Sequence, residues 1–245
     1  MAENPGAEQN EQNKQQERAN RILDAASELL QRWGYRKTTI DDIARQAGVA
    51  KGTIYLHWKT KEELFMALIM REKIVEGRKA QEAMQNDPEG VTLYSMIKHS
   101  MLWALYNPLM KAIMLRDTDM LGDLIHSQLS KMDIEQQIAG FNTYLTYMRR
   151  QGLVRTDIPL KTQVHMIEAI ALGYLISDQF LPDEYQISLE ERAEMAAETV
   201  RRTFELRNPN EQEKQEVTSH FNRFMSSAET LLQKEMGYER PDSGQ

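Results

Sequence analysis

The sequence contains no cysteine, which excludes disulfide bonds, thiolate metal sites and cysteine nucleophiles. It also has no long apolar stretch: the longest uninterrupted run, AIALGYLI at residues 169–176, is far too short to span a bilayer. The first twenty residues are polar and lack the apolar segment of a signal peptide. These absences predict a cytoplasmic protein.

Recognisable catalytic and metal-binding patterns are missing as well. No Ser-His-Asp arrangement, glycine-rich phosphate loop or metal cluster stands out. His99, His126 and His165 are too far apart in the chain to form a chelating pair on one helix turn. We therefore predict no enzyme activity, no catalytic residue, no metal and no cofactor.

Glycine and proline are scarce, with 12 and 7 in 245 residues, and they separate stretches whose apolar residues recur at spacings of three and four. This spacing is typical of helices, and no convincing strand pattern occurs. The sequence therefore predicts an all-α protein. The longer helices are expected at 61–86, 89–106, 109–117, 121–151, 160–180 and 187–206.

The net charge of −7 is unevenly distributed. Residues 14–61 carry ten Lys or Arg against five acids, an excess of five positive charges, which leaves −12 for the rest of the chain. A basic segment on an acidic protein indicates a nucleic-acid-binding region, although surface charges also cluster by chance.

Three short helices and the start of a fourth are predicted between residues 20 and 66. Gly34 ends the first helix. Thr39 is placed to cap the second, with Asp42 in the capping-box position, and Gly48 ends it. The second and third helices are thus joined by a short turn that contains glycine, which is the signature of a helix-turn-helix.

The third helix begins in the stretch KGTIYLHW, residues 51–58. Ile54 and Trp58 are expected to face the core, which leaves Lys51, Thr53, Tyr55 and Leu56 outside. Gly52 costs a helix about 1 kcal/mol relative to alanine. Either a close approach of the backbone to DNA or close packing against the preceding helix explains it.

Residues on either side of this helix are candidates for contacts with DNA phosphates. Lys61 opens a helix, where the macrodipole disfavours a cation, so it either meets a phosphate or pairs with one of the two glutamates that follow it. His57 is either a phosphate donor or a structural residue. Thr38 and Thr39 offer hydroxyl and backbone donors, and Thr39 caps its helix in any case.

The stretch WGYRKTTIDDIARQAGVAKGTIYLHWKTKEELF closely resembles the N-terminal domain of the tetracycline-repressor (TetR) family over about fifty residues. The resemblance implies a dimeric, all-helical transcriptional regulator with a C-terminal domain that binds a small molecule. It also implies DNA contacts at Thr38 or Thr39, Lys51, Gly52, Thr53, Tyr55, His57 and Lys61. The family commonly has serine or threonine where this chain has Ala50, and the missing hydroxyl weakens the helix start by about 1 kcal/mol.

The resemblance also implies a domain plan. The helices near 160–180 and 187–206 would pair across a two-fold axis. The amphipathic last helix, which the apolar spacing predicts from about residue 210, extends beyond the family's plan and would either cover its own subunit or reach the partner. The predicted segments are a disordered N-terminal tail (1–16), a helix-turn-helix DNA-binding domain (17–62), a helical ligand-binding and dimerisation domain (63–206) and a C-terminal amphipathic helix extension (207–245).

Methionine and aromatic residues are frequent in the predicted ligand-binding domain. Such residues suit an apolar pocket that adapts to its ligand, although the same pattern is more often ordinary core. The candidate ligand-binding residues are Met96, His99, Trp103, Met110, Met114, Phe141, Tyr144 and Glu168.

The sequence thus predicts a transcriptional repressor that binds a palindromic double-stranded DNA operator as a homodimer, with no membrane partner. A small apolar or amphipathic effector would release it by tilting the fourth helix and shifting the population of conformations. Two alternatives are a ligand-independent DNA-binding dimer and a small-molecule carrier or enzyme with a decayed DNA-binding domain.

Overall fold

The computed structural model describes residues 5–87 and 89–236. These residues form α-helices, short 3-10 turns and connecting loops, with one isolated β-bridge between Val154 and Glu205, so the all-α prediction is confirmed. None of the described helices has both the length and the apolar character needed to cross a membrane. The α-helices are α1 (Pro5–Lys37), α2 (Ile40–Ala47), α3 (Lys51–His57), α4 (Lys61–Asn86), α5 (Leu93–Tyr106), α6 (Pro108–Leu115), α7 (Thr118–Leu121), α8 (Gln128–Arg150), α9 (Leu160–Ile176), α10 (Leu189–Phe204) and α11 (Glu211–Met236).

The chain divides into two compact units, and one boundary between them falls within α4. The first unit, the head, contains residues 5–72 and 117–130 together with 229–236. The second unit, the body, contains 73–116 and 131–228. The segment 117–130 therefore groups with the N-terminal helices, whereas the sequence alone assigned it to the ligand-binding domain.

Helix α1 begins much earlier than expected. The predicted disordered tail covered residues 1–16, but α1 starts at Pro5, and only residues 1–4 of that tail lie outside the described part of the chain. Residues 5–21 contain Glu, Gln, Lys, Arg and Ala, which are good helix formers. Because Ala19 and Ile22 are buried in the head, they anchor a helix that can extend toward the N-terminus at one hydrogen bond per residue.

The core of the head joins one apolar stripe from each of its first four helices. The capping box of α2 is confirmed: Thr39 Oγ1 accepts from the Asp42 amide at 3.2 Å, and the Thr39 amide donates to Asp42 Oδ2 at 3.2 Å. Gly48 ends α2 in the left-handed conformation, with φ 67°. The largest fully buried side chains of the head include Ile22, Leu23, Leu30, Ile43, Ile54, Leu64, Phe65, Met66 and Leu68.

The single helix predicted at 121–151 is wrong, because the chain instead forms α7, a 3-10 turn at Gly122–His126 and then α8. Asp117 caps the start of α7: its Oδ1 accepts hydrogen bonds from the amides of Asp119 at 2.8 Å and Met120 at 3.2 Å. Gly122 ends α7 with φ 55°, and a Cβ there would lie 3.1 Å from Tyr35 Cδ1. The segment therefore turns so that it can pack against the end of α1.

The core of the body is built mainly by α5 and α10, with contributions from α8, α9 and α11. Val217 and Phe221 of α11 are buried in this core, and Tyr147 Oη donates to Glu216 at 2.7 Å. The part of α11 up to residue 228 therefore packs on the body of its own chain, which was one of the two alternatives. The end of the predicted extension, 237–245, lies outside the described residues.

Candidate nucleic-acid interface

The exposed face of α3 is the centre of the candidate interface. Ile54 and Trp58 are buried in the head, and this fixes the rotation of the short helix as the sequence predicted. The opposite face points to solvent: Leu56 is 77% exposed and Tyr55 is 39% exposed. Lys51 and Gly52 are also exposed, and Thr53 and His57 are half-buried. The predicted DNA-contact residues of α3 thus share one accessible surface.

Gly52 lies in open space on this surface. In the described part of the chain, no heavy atom outside its immediate neighbours lies within 4 Å of the position that a Cβ would occupy. Close packing against α2 is therefore excluded as the reason for the glycine. The remaining explanation from the sequence is that another molecule approaches the backbone at this point.

Two polar residues at the start of α3 set its local electrostatics. Lys51 Nζ lies 2.8 Å from Asp41 Oδ2, and this hydrogen bond raises the pKa of the lysine. Both side chains are exposed, so a phosphate could replace the aspartate as the partner of the lysine. Ala50 precedes the helix without a side-chain cap, as its residue type dictates.

His57 lies at the last turn of α3, with its ring centroid 5.3 Å from that of Trp58. Burial lowers the pKa of this histidine, and the positive charge of Arg18 lowers it further, so the neutral imidazole dominates at pH 7. Sequence reasoning missed Arg18 as a neighbour of His57. Arg18 and His57 are 39 residues apart and belong to different helices, so no local sequence pattern indicates that they are neighbours.

The two threonines before α2 have different surroundings. Thr38 is fully buried, and its hydroxyl donates to Gly34 O at 2.9 Å and to Leu29 O at 3.2 Å. Its predicted phosphate contact is therefore corrected to an internal structural role. Thr39 is exposed at the N-cap, where its hydroxyl lies 2.5 Å from Asp42 Oδ2, and it stays a predicted contact.

In the described chain Lys61 forms no ion pair with either of the two glutamates that follow it, and its phosphate contact stays a prediction. Its ammonium group donates to Tyr35 O at 2.5 Å and lies 4.0 Å from the centroid of the Tyr35 ring. Burial lowers the pKa of this lysine. Because an ammonium group has three N–H donors, the contact with Tyr35 leaves donors with which a phosphate can interact.

The eight candidate ligand-binding residues do not form one site in the body. Met110 and Tyr144 are buried, and the Tyr144 hydroxyl donates to Val91 O at 3.1 Å. Met96, Met114 and Phe141 pack against the core, as the ordinary-core alternative predicts. Glu168 lies on the exposed side of α9.

The remaining two candidates, His99 and Trp103, differ in the hydrogen bonding of their ring nitrogens. His99 Nε2 lies 3.2 Å from Asp87 Oδ2. The indole N–H of Trp103 is buried and has no hydrogen-bond acceptor among the described residues. Since Met96, His99 and Trp103 follow at spacings of three and four, they share one face of α5.

An open cleft of about 900 Å³ lies elsewhere in the body, beside α4 and α11. None of the eight candidates lines it, although Asp87 connects it to His99. The lining residues are polar or small: Gln85, Asp87, Gly90, Glu211, Lys214, Gln215, Thr218, Ser219, Asn222 and Ser226.

The head therefore has the architecture of a helix-turn-helix domain whose second helix is presented outward. Residues 22–68 match the family described as bacterial regulatory proteins, tetR family. The fatty acid metabolism regulator protein of Bacillus subtilis is 47% identical over 53 residues, which cover 22% of this chain and 27% of that protein. The transcriptional regulator QacR of Staphylococcus aureus is 33% identical over 96 residues, or 38% of this chain and 50% of that protein.

The fold extends the similarity beyond the head. The solved structure of a SmeT–triclosan complex matches 78% of this chain and 93% of SmeT, with a TM-score of 0.56 at 21% identity. The match to the family model confirms the resemblance to the TetR family over residues 22–68, and the likeness to SmeT shows the fold of the longer chain. The chain spans between about a quarter and a half of the length of the two curated relatives, both of which are regulators by name.

Proposed function

We propose that the protein is a transcriptional regulator that binds a palindromic DNA operator as a homodimer, represses transcription there and is released by a small apolar or amphipathic effector. The exposed face of α3 carries the proposal: a glycine in open space lies between a lysine and a tyrosine, and Leu56 is 77% exposed. A helix with an accessible N-terminal face and polar donors suits the major groove. A dimer bound across a promoter would block transcription.

The outward face of α9 supports a homodimer. Gln163, Ile167, Ala171 and Leu175 are buried toward the core, whereas Ala169 and Gly173 are exposed. No other part of the described chain comes within 4 Å of a Cβ built at Gly173. A glycine in the middle of an exposed helix lets a second helix approach closely, so α9 of a second copy is the proposed partner.

The face of α5 with Met96, His99 and Trp103 supports an effector site. A buried indole N–H without a protein acceptor costs free energy, and a ligand with a hydrogen-bond acceptor would relieve this cost. SmeT was solved in complex with triclosan, which favours a small-molecule effector here as well. An effector acts only if it binds one conformation more tightly, and α4, which contributes residues to both units, is the proposed connection.

The two alternatives make different predictions about these features. A ligand-independent DNA-binding dimer does not explain why the buried indole N–H of Trp103 lacks an acceptor. A carrier or enzyme with a decayed head does not explain why the residues around Gly52 face outward and leave open space above the glycine. These two observations favour the ligand-responsive regulator over both alternatives.

The first experiment is a selection of genomic DNA fragments with the purified protein, followed by affinity measurements across a salt series. We expect a palindromic site and a steep loss of affinity with salt, because phosphate contacts release counterions. Tyr55→Ala should weaken binding, whereas Tyr185→Ala, which removes a tyrosine exposed in the body, should not. No enriched sequence and weak binding at low salt would contradict the proposal.

The selected fragment then serves for effector screening. Trp103→Phe removes the indole N–H and keeps most of the apolar volume. Effectors with a hydrogen-bond acceptor should act on this variant about five- to tenfold more weakly, which corresponds to about 1 kcal/mol for one hydrogen bond. If no small molecule changes the affinity for the fragment, the ligand-independent alternative is favoured.

A further inference from the structure

The N-terminal half of α1 carries a basic face that lies largely outside the family match. The match begins at residue 22, but α1 begins at Pro5. Lys14, Arg18 and Arg21 follow at spacings of four and three residues, so they lie within about 60° of one another around the helix. Lys14 and Arg21 are exposed and Arg18 is half-buried. We call these three residues the basic face of α1.

The basic face adjoins the end of α3. Ala19 and Ile22 are buried, which fixes the rotation of α1 in this region, and α1 contacts α3. The charge of Arg18 is close enough to His57 to lower the pKa of the imidazole. The positive charges of α1 therefore continue the surface that α3 presents outward.

The cations of the basic face are not neutralised within the described chain. Four other basic residues of the head form ion pairs with aspartates: Arg36 with Asp123, Arg45 with Asp42, Lys51 with Asp41 and Arg71 with Asp24. No such pair with a described acid occurs for Lys14, Arg18 or Arg21. An unpaired row of cations beside a DNA-reading helix favours phosphates as its partner.

We propose that the basic face of α1 binds the sugar–phosphate backbone of the DNA that flanks each operator half-site. The proposal rests on the DNA-binding function proposed above. Lys14 and Arg21 are separated by about 10 Å along the helix axis, which is enough to contact more than one phosphate. The basic face therefore lengthens the footprint on each side and adds affinity without adding sequence preference, because phosphates carry no base information.

The test compares two charge-matched triple variants on the selected operator. The first combines Lys14→Gln, Arg18→Gln and Arg21→Gln. The control combines Lys131→Gln, Arg150→Gln and Arg207→Gln, three exposed cations of the body outside α9 and α10. The first variant should show a salt slope smaller by about 0.9 for each phosphate that it no longer binds, and a footprint shortened at both outer ends. The control should match the wild-type protein in footprint, and both variants should select the same sequence.

An unchanged salt slope and footprint in the first variant would overturn the inference while leaving the DNA-binding function intact. A wild-type protein that selects no DNA would instead contradict the function itself. Circular dichroism of both variants checks that the helices are retained.

A second measurement tests the geometry without DNA. Arg18→Gln should raise the pKa of His57, measured by NMR titration of the imidazole, because a neighbouring positive charge is removed. Lys161→Gln should leave this pKa unchanged. If the His57 pKa does not respond to Arg18→Gln, the basic face does not lie beside α3 and the inference fails.

Discussion

At the scale of single residues, a substitution at Gly52 should have opposite effects on the stability of the head and on its affinity for DNA. Gly52→Ala should raise the free energy of unfolding by up to about 1 kcal/mol, because alanine favours a helix and restricts the conformations of the unfolded chain. The new methyl group meets no atom of the described chain. It would, however, occupy the space through which the backbone approaches DNA, so affinity for the operator should fall. Urea denaturation and fluorescence anisotropy measure the two effects.

The matched control is Gly173→Ala, since Gly173 is also helical and also faces open space. This variant should gain a similar free energy of unfolding in the isolated chain and keep its affinity for a single half-site. An unchanged operator affinity for Gly52→Ala would show that the backbone at this position does not approach DNA.

The sequence predicts individual residues well where their role is local. Thr39, Asp42 and Gly48 define the ends of α2 through bonds to neighbours three or four residues away, and these bonds form as expected. Thr38 was placed less well, because one of its partners is distant in the chain. The contact of Lys61 with Tyr35 was not foreseen either, although the phosphate contact of Lys61 stays a prediction. The Thr38 hydroxyl reaches Leu29 O, nine residues away, and no local pattern specifies that contact.

At the scale of elements, Gly34 couples the end of α1 to the segment that follows α6. Its backbone has φ 74° and ψ 167°, a region that is essentially restricted to glycine. A Cβ there would also lie 2.7 Å from Asp119 O. Gly34→Ala should therefore lower the free energy of unfolding of the head by about 2 kcal/mol or more. Thermal or urea denaturation checks this value.

Gly48→Ala provides the comparison for Gly34→Ala. Gly48 also has a positive φ, 67°, but no atom lies within 4 Å of its Cβ position in the described chain. The cost should be about 1 to 2 kcal/mol, because only the left-handed backbone is penalised. Equal destabilisation of the two variants would show that the contact with Asp119 contributes nothing.

Helix boundaries followed from the sequence where capping and periodicity agree. The prediction of 61–86 matches α4 (Lys61–Asn86). The break between α7 and α8 was missed because Gly122 reads as an ordinary glycine near a helix start. Its turn depends on packing against Tyr35, which is 87 residues away in the chain. The early start of α1 was missed because residues 5–16 have no apolar stripe of their own, although they favour the helix that Ile22 anchors.

At the scale of the whole molecule, composition indicates a class of protein but does not separate a pocket from a core. Methionine and aromatic side chains fill both, and Tyr144 is buried in the core cluster with its hydroxyl bonded to Val91 O. Trp103 differs from such core residues in one respect: its indole N–H has no hydrogen-bond acceptor among the described residues. That property depends on the arrangement of all surrounding helices, so the sequence pattern alone does not reveal it.

The proposed dimer gives the last prediction. Gly173→Leu should stabilise the isolated chain slightly, because leucine is a better helix former than glycine by about 1 kcal/mol. The larger side chain should keep a second α9 from approaching, so the dimer dissociation constant should rise at least about tenfold, or about 1.4 kcal/mol. Sedimentation equilibrium measures the dissociation constant, and urea denaturation measures the stability.

The opposite signs of these two effects distinguish a disrupted interface from a damaged fold. If two heads bind half-sites about one helical turn of DNA apart, Gly173→Leu should keep the affinity for a single half-site and lose the additional affinity for the palindrome. Gly52→Ala should do the reverse, since it weakens each half-site contact and leaves the dimer intact. If the dimer dissociation constant of the Gly173→Leu protein equals that of the wild-type protein, the outward face of α9 is excluded as the interface.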